Sequence, residues 1–179
     1  RDKGVIPQIL SEALSVSFDQ HVGHDYVSDA QERYDFYHRK EDKIPFDLAF
    51  FNKITKGGLP NKTLNIALAG TGVGKSLFMC HVASATLLEG KNVLYITMEM
   101  AEEKIAERID ANLLNIPIQQ LSDLPKVMFE KKITNLSKKT QGKLIIKEYP
   151  TASAHSGHFR ALLNELALKK SFRPDIIFI

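Results

Sequence analysis

The sequence predicts an α/β fold in which a parallel sheet is flanked by helices. Apolar runs typical of strands alternate with helix-like segments from residue 63 onward. A glycine-rich stretch joins the first of these runs to an apolar helix-like segment. The run Val-Leu-Tyr-Ile at 93–96 is continuous, as in strands that are covered on both faces of a parallel sheet.

Composition limits the class of protein. The length of 179 residues, 44% of them hydrophobic, suits one domain with a core and a short appendage. The net charge of +3 is small, so a polyanion would have to bind at a local patch. Cys80 is the single cysteine, which excludes an internal disulfide and suits a reducing compartment. Since no apolar run reaches the length of a membrane helix, we expect a cytoplasmic protein without a membrane partner.

The first 43 residues are predicted to be a linker helix and a linker. Residues 5–18 carry apolar side chains at helical spacing, and a helix this short must dock on another surface to be stable. Residues 20–43 are polar and of mixed charge, with one helical turn expected at 30–37. His21 and His24 have no cysteine or second ligand pair nearby, so they are expected to be surface residues. The compact domain is predicted to begin near residue 44.

A phosphate-binding loop is predicted between a strand at 63–68 and a helix at 77–88. Its residues are Ala69, Gly70, Thr71, Gly72, Val73, Gly74, Lys75 and Ser76. The pattern G-x-x-x-x-G-K-[ST] uses glycines so that backbone N–H groups can wrap a phosphate. Lys75 would reach the β- and γ-phosphates, and Ser76 would place its hydroxyl on Mg²⁺. Ala69 departs from the pattern, which has glycine at that position.

Strands and helices continue to alternate after the loop. A strand is predicted at 92–98, followed by a helix with Ile105, Ile109 and Leu113 on one face. The stretch 117–142 is poorly periodic and rich in lysine, which favours a solvated surface over a nucleic-acid patch.

Two more strands and a helix are predicted towards residue 179. The strands cover 144–149 and 175–179, and Ser156 is expected to cap the helix between them. His155 and His158 are expected to be polar residues of that helix end.

Glu99 directly follows the strand at 92–98. An acid at the carboxyl end of a parallel strand can face bound phosphates. Glu99 could equally be a helix N-terminal acid like Glu102 and Glu103, and position alone does not decide. A site of this kind also needs an aspartate after an apolar strand to hold Mg²⁺. The strand at 175–179 has no such acid after it, so we expect a piece of a longer protein, incomplete for catalysis.

The sequence resembles the ring-shaped replicative helicases of the DnaB family, and among them the bacteriophage T4-type helicases. The resemblance covers residues 44–179. It rests on Phe46-Asp47 with Gly57-Gly58-Leu59, the loop at 69–76, Thr97-Met98-Glu99-Met100 and the run Arg-Pro-Asp-Ile-Ile-Phe-Ile at 173–179. The family often has alanine where Ala69 stands, and it tends to have Ser-Leu-Glu-Met where this chain has Thr-Met-Glu-Met.

The resemblance implies a RecA-like NTPase domain, truncated at both ends, that uses ATP or GTP with Mg²⁺. It implies that Glu99 is the base that orients the attacking water, that Arg108 lies near the nucleotide and that the helix at 5–18 packs on a neighbouring subunit. It further implies a homohexamer that moves along single-stranded DNA and unwinds the duplex at a replication fork. A primase and a helicase loader are the implied partners, in a bacterial host cytoplasm if the protein is phage-encoded.

Two other classes of function remain open on the sequence. One is a RecA-type recombinase that forms filaments on single-stranded DNA. The other is a regulatory P-loop ATPase with no role on DNA.

Overall fold

The computed structural model describes residues 23–179, which divide into two units at 23–41 and 42–179. The helix predicted at 5–18 and His21 lie outside the described residues. The first unit contains helix α1, Ala30–His38, where a helical turn was predicted. Before it, the backbone N–H groups of Ser28 and Val27 donate to the Asp25 carboxylate and hold its pKa below the ordinary value.

The second unit begins with a small lead-in substructure. Strand β1, Lys43–Ile44, pairs antiparallel with β2, Leu59–Pro60, and helix α2, Ala49–Ile54, lies between them in the chain. Gly58 has φ +129°, and a Cβ there would stand 2.2 Å from the carbonyl oxygen of Ile44. Only glycine fits this position, because the strand pair brings two backbones into direct contact.

The main sheet has three strands in the order β4-β3-β5, and both pairings are parallel. The strands are β3, Val93–Thr97, β4, Leu144–Glu148, and β5, Ile176–Phe178. They confirm the strands predicted at 92–98, 144–149 and 175–179, with shorter bounds. Every residue of β3 is buried, as its continuous apolar run predicted.

Four longer helices belong to the second unit. They are α3, Lys75–Leu88, α4, Glu102–Leu114, α5, Lys126–Ser137, and α6, Ser156–Lys170. Helix α3 ends at Leu88, and Gly90, predicted to stop it, follows the C-cap residue Glu89 with φ +80°. There the Lys91 N–H donates to the Thr86 carbonyl and the Gly90 N–H to the Leu87 carbonyl, which satisfies the last turn.

The core lies on both faces of the sheet. On one face, Val93 and Tyr95 pack with buried residues of α3 and α4, among them Cys80 and Ile105. On the other face, Leu94 and Ile96 pack with Leu166 of α6 and with Phe172. Cys80 is buried as a small apolar residue, as expected. This two-sided covering makes the domain α/β, as predicted.

The prediction of a strand at 63–68 is wrong. These residues have no regular secondary structure, and Leu64, Ile66 and Leu68 are 86%, 79% and 94% exposed. The ladders of the main sheet join β3 to β4 and β5, so within residues 23–179 no strand pairs with this segment. A strand is stabilised by its neighbours, and an apolar run cannot form one without a partner.

Two smaller predictions also need correction. The stretch 117–142, interpreted as poorly periodic, contains a short 3₁₀ helix, Ile118–Gln120, and the whole of α5. The N-cap of α6 is His155 rather than Ser156, because the His155 ring nitrogen Nδ1 accepts the Gly157 N–H at 3.1 Å. His155 and His158 are therefore helix-end residues, as expected.

Among residues 23–179, no helix combines the length and the apolar character that a membrane crossing requires.

Candidate nucleotide site

The glycine-rich loop leads directly into α3. Gly74 is the N-cap residue with φ +105°, and Gly72 has φ +76°, so both adopt backbone conformations that favour glycine. No heavy atom lies within 4 Å of the place where a Cβ would stand at either glycine. The space beside the loop is therefore open to a ligand.

The first turn of α3 presents unpaired backbone donors. No residue in the described part of the chain accepts a hydrogen bond from the N–H groups of Lys75, Ser76 or Leu77. The helix dipole adds positive potential at this end. Lys75 is exposed, and Ser76 beside it is half-buried. Backbone donors, an ammonium group and a hydroxyl thus gather at one helix end, which is the chemistry that binds a phosphate.

Helix α3 runs back along β3, which fixes where its first turn lies. The Cys80 thiol, near the start of α3, is 4.0 Å from the hydroxyl of Tyr95. Leu87, near the end of α3, packs in the same core cluster as Val93, the first residue of β3. Because the helix and the strand run in opposite directions, the start of α3 lies towards the edge of the sheet where β3 ends.

Glu99 lies at that edge, in the bend between Thr97, where β3 ends, and Glu102, where α4 begins. Its side chain is exposed. Glu102 and Glu103 are in the first turn of α4, so Glu99 lies outside the helix that they begin. The structure therefore brings Lys75, Ser76 and Glu99 to one edge of the sheet.

Arg108 lies on α4, and its charge affects the pKa values of two groups between α3 and β3. Burial raises the pKa values of the Cys80 thiol and the Tyr95 hydroxyl, and the Arg108 charge opposes both shifts. The ring of Tyr95 also stacks on Phe178 with centroids 5.6 Å apart. Among residues 23–179, Arg108 makes no hydrogen bond or ion pair with a residue of the glycine-rich loop, so its predicted place near the nucleotide stays a prediction.

The sequence did not reveal which residues hold the bend around Glu99. The side chains of Thr97, at the end of β3, and of Thr151, in the turn after β4, both hydrogen-bond the backbone of this bend. The sequence contains a weak indication for Thr97, since a polar residue that ends an apolar strand lies next to the bend. It contains none for Thr151, because no spacing rule connects that residue with a bend 53 residues away.

A parallel sheet between helices, with a glycine loop opening a helix beside the carboxyl edge, defines a RecA-like nucleotide-binding domain. The chain belongs to the DnaB-like helicase family, since residues 44–179 match the DnaB-like helicase C terminal domain. The family resemblance found in the sequence is thereby confirmed.

A relative of known identity agrees with this assignment. The chain is 49% identical over 181 aligned positions to the DnaB-like replicative helicase of Enterobacteria phage T4. The match covers 99% of this chain and 38% of that helicase. The chain therefore spans about two fifths of the length of the relative.

Proposed function

We propose that this chain contains part of the nucleotide-hydrolysing domain of a replicative DNA helicase. The helicase would use NTP hydrolysis to move along single-stranded DNA and to unwind the duplex at the fork. Family membership supports this, as does the T4 relative, which is named a replicative helicase. The observation that carries the proposal is that the glycine-rich loop opens α3 with unpaired N–H groups, at the end of the helix that lies towards the carboxyl edge of the sheet, where Glu99 also stands.

The loop from Ala69 to Ser76 would hold the phosphates of ATP or GTP. The open space beside Gly72 and Gly74 and the unpaired N–H groups of α3 fit a polyphosphate. Gly70, Thr71 and Val73 would contribute the rest of the loop, and Lys75 would neutralise the β- and γ-phosphates. Arg108 would contact the nucleotide from α4, a role that rests on the family resemblance.

Ser76 would bind Mg²⁺, and Glu99 would act as the base. The Ser76 hydroxyl is a hard oxygen donor beside the loop, which fits this ion. Bound Mg²⁺ would offset the charge of the phosphates. Glu99 would orient a water molecule and take its proton, a role that the family resemblance implies and that an exposed carboxylate at this edge of the sheet fits.

Residues 44–179 would form part of the NTPase domain, and residues 1–43 the linker helix and linker. The parent protein would be a homohexamer in the bacterial cytoplasm. It would bind single-stranded DNA, and a primase and a helicase loader would be further partners. The helix at 5–18 would pack on the next subunit. Ile9→Asp with Leu10→Asp should then dissociate the hexamer in sedimentation with NTP and Mg²⁺, whereas intact hexamers would exclude this exchange.

The experiment that tests the proposal is hydrolysis and unwinding by the full-length protein with and without single-stranded DNA. Lys75→Ala should abolish NTP turnover and fork unwinding while the protein stays folded, and the exposed Lys138→Ala should leave both unchanged. Turnover that single-stranded DNA fails to stimulate would favour a regulatory ATPase. Helical filaments in place of closed rings would favour a recombinase.

A further inference from the structure

The side chain of Glu99 has no hydrogen-bond partner among residues 23–179, so within that range the backbone of its bend alone determines the position and direction in which the side chain leaves the chain. The bend occupies residues 98–100, between the last residue of β3 and the start of α4. A catalytic carboxylate works only when it is held close to its productive geometry. The groups that hold this backbone are therefore candidates for a role in the reaction.

Thr97 closes the bend from the side of β3. Its hydroxyl donates to the Met100 carbonyl at 2.7 Å and accepts the Met100 N–H at 3.1 Å. Thr97 is only 6% exposed, so water competes little for these bonds. The residue that follows Glu99 is thus tied to the strand that precedes it.

Thr151 holds the other side of the bend from a neighbouring strand. It lies in the turn after β4, and its hydroxyl donates to the Met98 carbonyl at 3.0 Å. That carbonyl belongs to the peptide group that joins Met98 to Glu99, so the bond sets the orientation of the backbone at Glu99. Just before it, the Tyr149 N–H donates to the Thr97 carbonyl at 2.9 Å and extends the β3–β4 ladder.

The start of α4 is joined to β4 as well. The Glu102 N–H donates to the Glu148 carboxylate at 3.1 Å, and the Glu148 N–H donates to the Glu102 carboxylate at 2.8 Å. The bend is therefore held on both sides by the end of β4. The backbone of residues 98–100 lies between these two points of contact. Within residues 23–179, Thr151 is the only residue of β4 or of the turn after it whose side chain hydrogen-bonds that backbone.

The turn that carries Thr151 is itself fixed. Ala152 has φ +60°, a conformation that costs free energy for a residue other than glycine and persists only where surrounding contacts impose it. The Ser153 N–H and hydroxyl both donate to the Pro150 carbonyl, at 3.0 and 2.6 Å. Thr151 is thus presented to Met98 by a closed turn.

We propose that Thr151 is a positioning residue for Glu99, acting through the Met98 carbonyl. This inference rests on the proposed role of Glu99 as the base. Thr151 itself would contact neither the nucleotide nor the attacking water. Its hydroxyl keeps the peptide before Glu99 in one orientation, so that the carboxylate points at the attacking water.

The test compares Thr151→Val with Thr151→Ser in the full-length protein, measured as DNA-stimulated NTP turnover. Valine keeps the size and removes the hydroxyl, whereas serine keeps the donor. Loss of one hydrogen bond that acts on the transition state predicts a kcat about tenfold lower for Thr151→Val. The KM for NTP should stay within about twofold, because the bond acts on the chemical step and not on binding. Thr151→Ser should restore most of the rate.

Thr134→Val is the matched control, because Thr134 makes the same kind of bond, to the Glu130 carbonyl at 2.8 Å, on the exposed surface of α5. It should leave kcat unchanged. The decisive arm adds Thr151→Val to Glu99→Gln, where no further loss is expected because the group to be positioned is gone. An unchanged kcat in Thr151→Val, or an equal loss in both backgrounds, would overturn the inference.

Glu99→Gln alone separates this inference from the proposed function. If that variant hydrolyses NTP normally, Glu99 is not the base and both proposals fall. If it is slow while Thr151→Val is normal, only the positioning role of Thr151 is lost.

Discussion

Asn92 and Asp175 hydrogen-bond each other in both directions at the amino edge of the main sheet. The Asn92 N–H donates to the Asp175 carboxylate at 2.7 Å, and the Asp175 N–H donates to the Asn92 carbonyl at 2.8 Å. The Asn92 side chain also accepts the Lys143 N–H and donates to the Arg173 carbonyl, both at 3.1 Å. One residue thus joins the starts of β3, β4 and β5.

Asn92→Ala should lower the free energy of unfolding of the domain by about 2–3 kcal/mol. The substitution removes both side-chain hydrogen bonds of Asn92, to Lys143 and Arg173, and leaves these backbone groups without a protein partner. Chemical denaturation of the full-length protein measures this loss. The control is Asn164→Ala on the exposed side of α6, which should change stability by less than about 0.5 kcal/mol. Equal effects at the two positions would contradict the role assigned to Asn92.

Gly58→Ala should be more destabilising than Gly57→Ala. Both glycines have positive φ, +129° and +109°, so the backbone strain is shared. Only at Gly58 would the new Cβ meet backbone, at 2.2 Å from the Ile44 carbonyl oxygen; at Gly57 the nearest atom is a flexible lysine carbon 4.0 Å away. The expected difference in unfolding free energy is about 2 kcal/mol or more. Similar melting temperatures for the two variants would contradict this prediction and show that the β1–β2 pair can move apart at little cost in free energy.

Asp110→Asn should stabilise the domain at pH 7. Burial raises the pKa of the Asp110 carboxyl above its ordinary value of 3.8, so the folded state disfavours the charged form. This penalty is present above the pKa of the folded state and disappears as the pH falls through that pKa to below 3.8. The melting temperature should therefore rise by about 1–3 °C at pH 7, and the gain should shrink towards pH 4. A gain that is independent of pH would contradict this cause, and the exposed Asp123→Asn is the control.

Much of the fold could be predicted from the sequence because its local signals agree with the tertiary structure. The continuous apolar run of β3 and the apolar faces of α3, α4 and α6 are local patterns. β3 and α3 formed near their predicted bounds, and α4 and α6 formed where helices were predicted. The segment 63–68 shows the limit of such patterns. Its composition favours a strand, but a strand also needs a neighbour, which local sequence does not specify.

The candidate site could be predicted only where it depends on a local sequence pattern. Lys75 and Ser76 belong to a contiguous motif whose chemistry requires fixed spacing, and the structure puts them at the start of α3. Thr151 and Glu148 are brought to the Glu99 bend only by the parallel pairing of β3 with β4. Contacts made across a ladder leave no periodic trace in the sequence, so these residues could not be found in advance.

The central claim is that Glu99 is the base of an NTP-hydrolysing centre whose phosphate site is the loop before α3. The most direct measurement compares nucleotide binding with turnover in full-length Glu99→Gln, with Glu103→Gln in the first turn of α4 as the control. The account predicts that Glu99→Gln binds NTP nearly as the unmodified protein does but turns it over about 10²–10⁴-fold more slowly, while Glu103→Gln is unaffected. A fall in turnover of less than about tenfold in Glu99→Gln would show that Glu99 is a surface acid and would contradict the account.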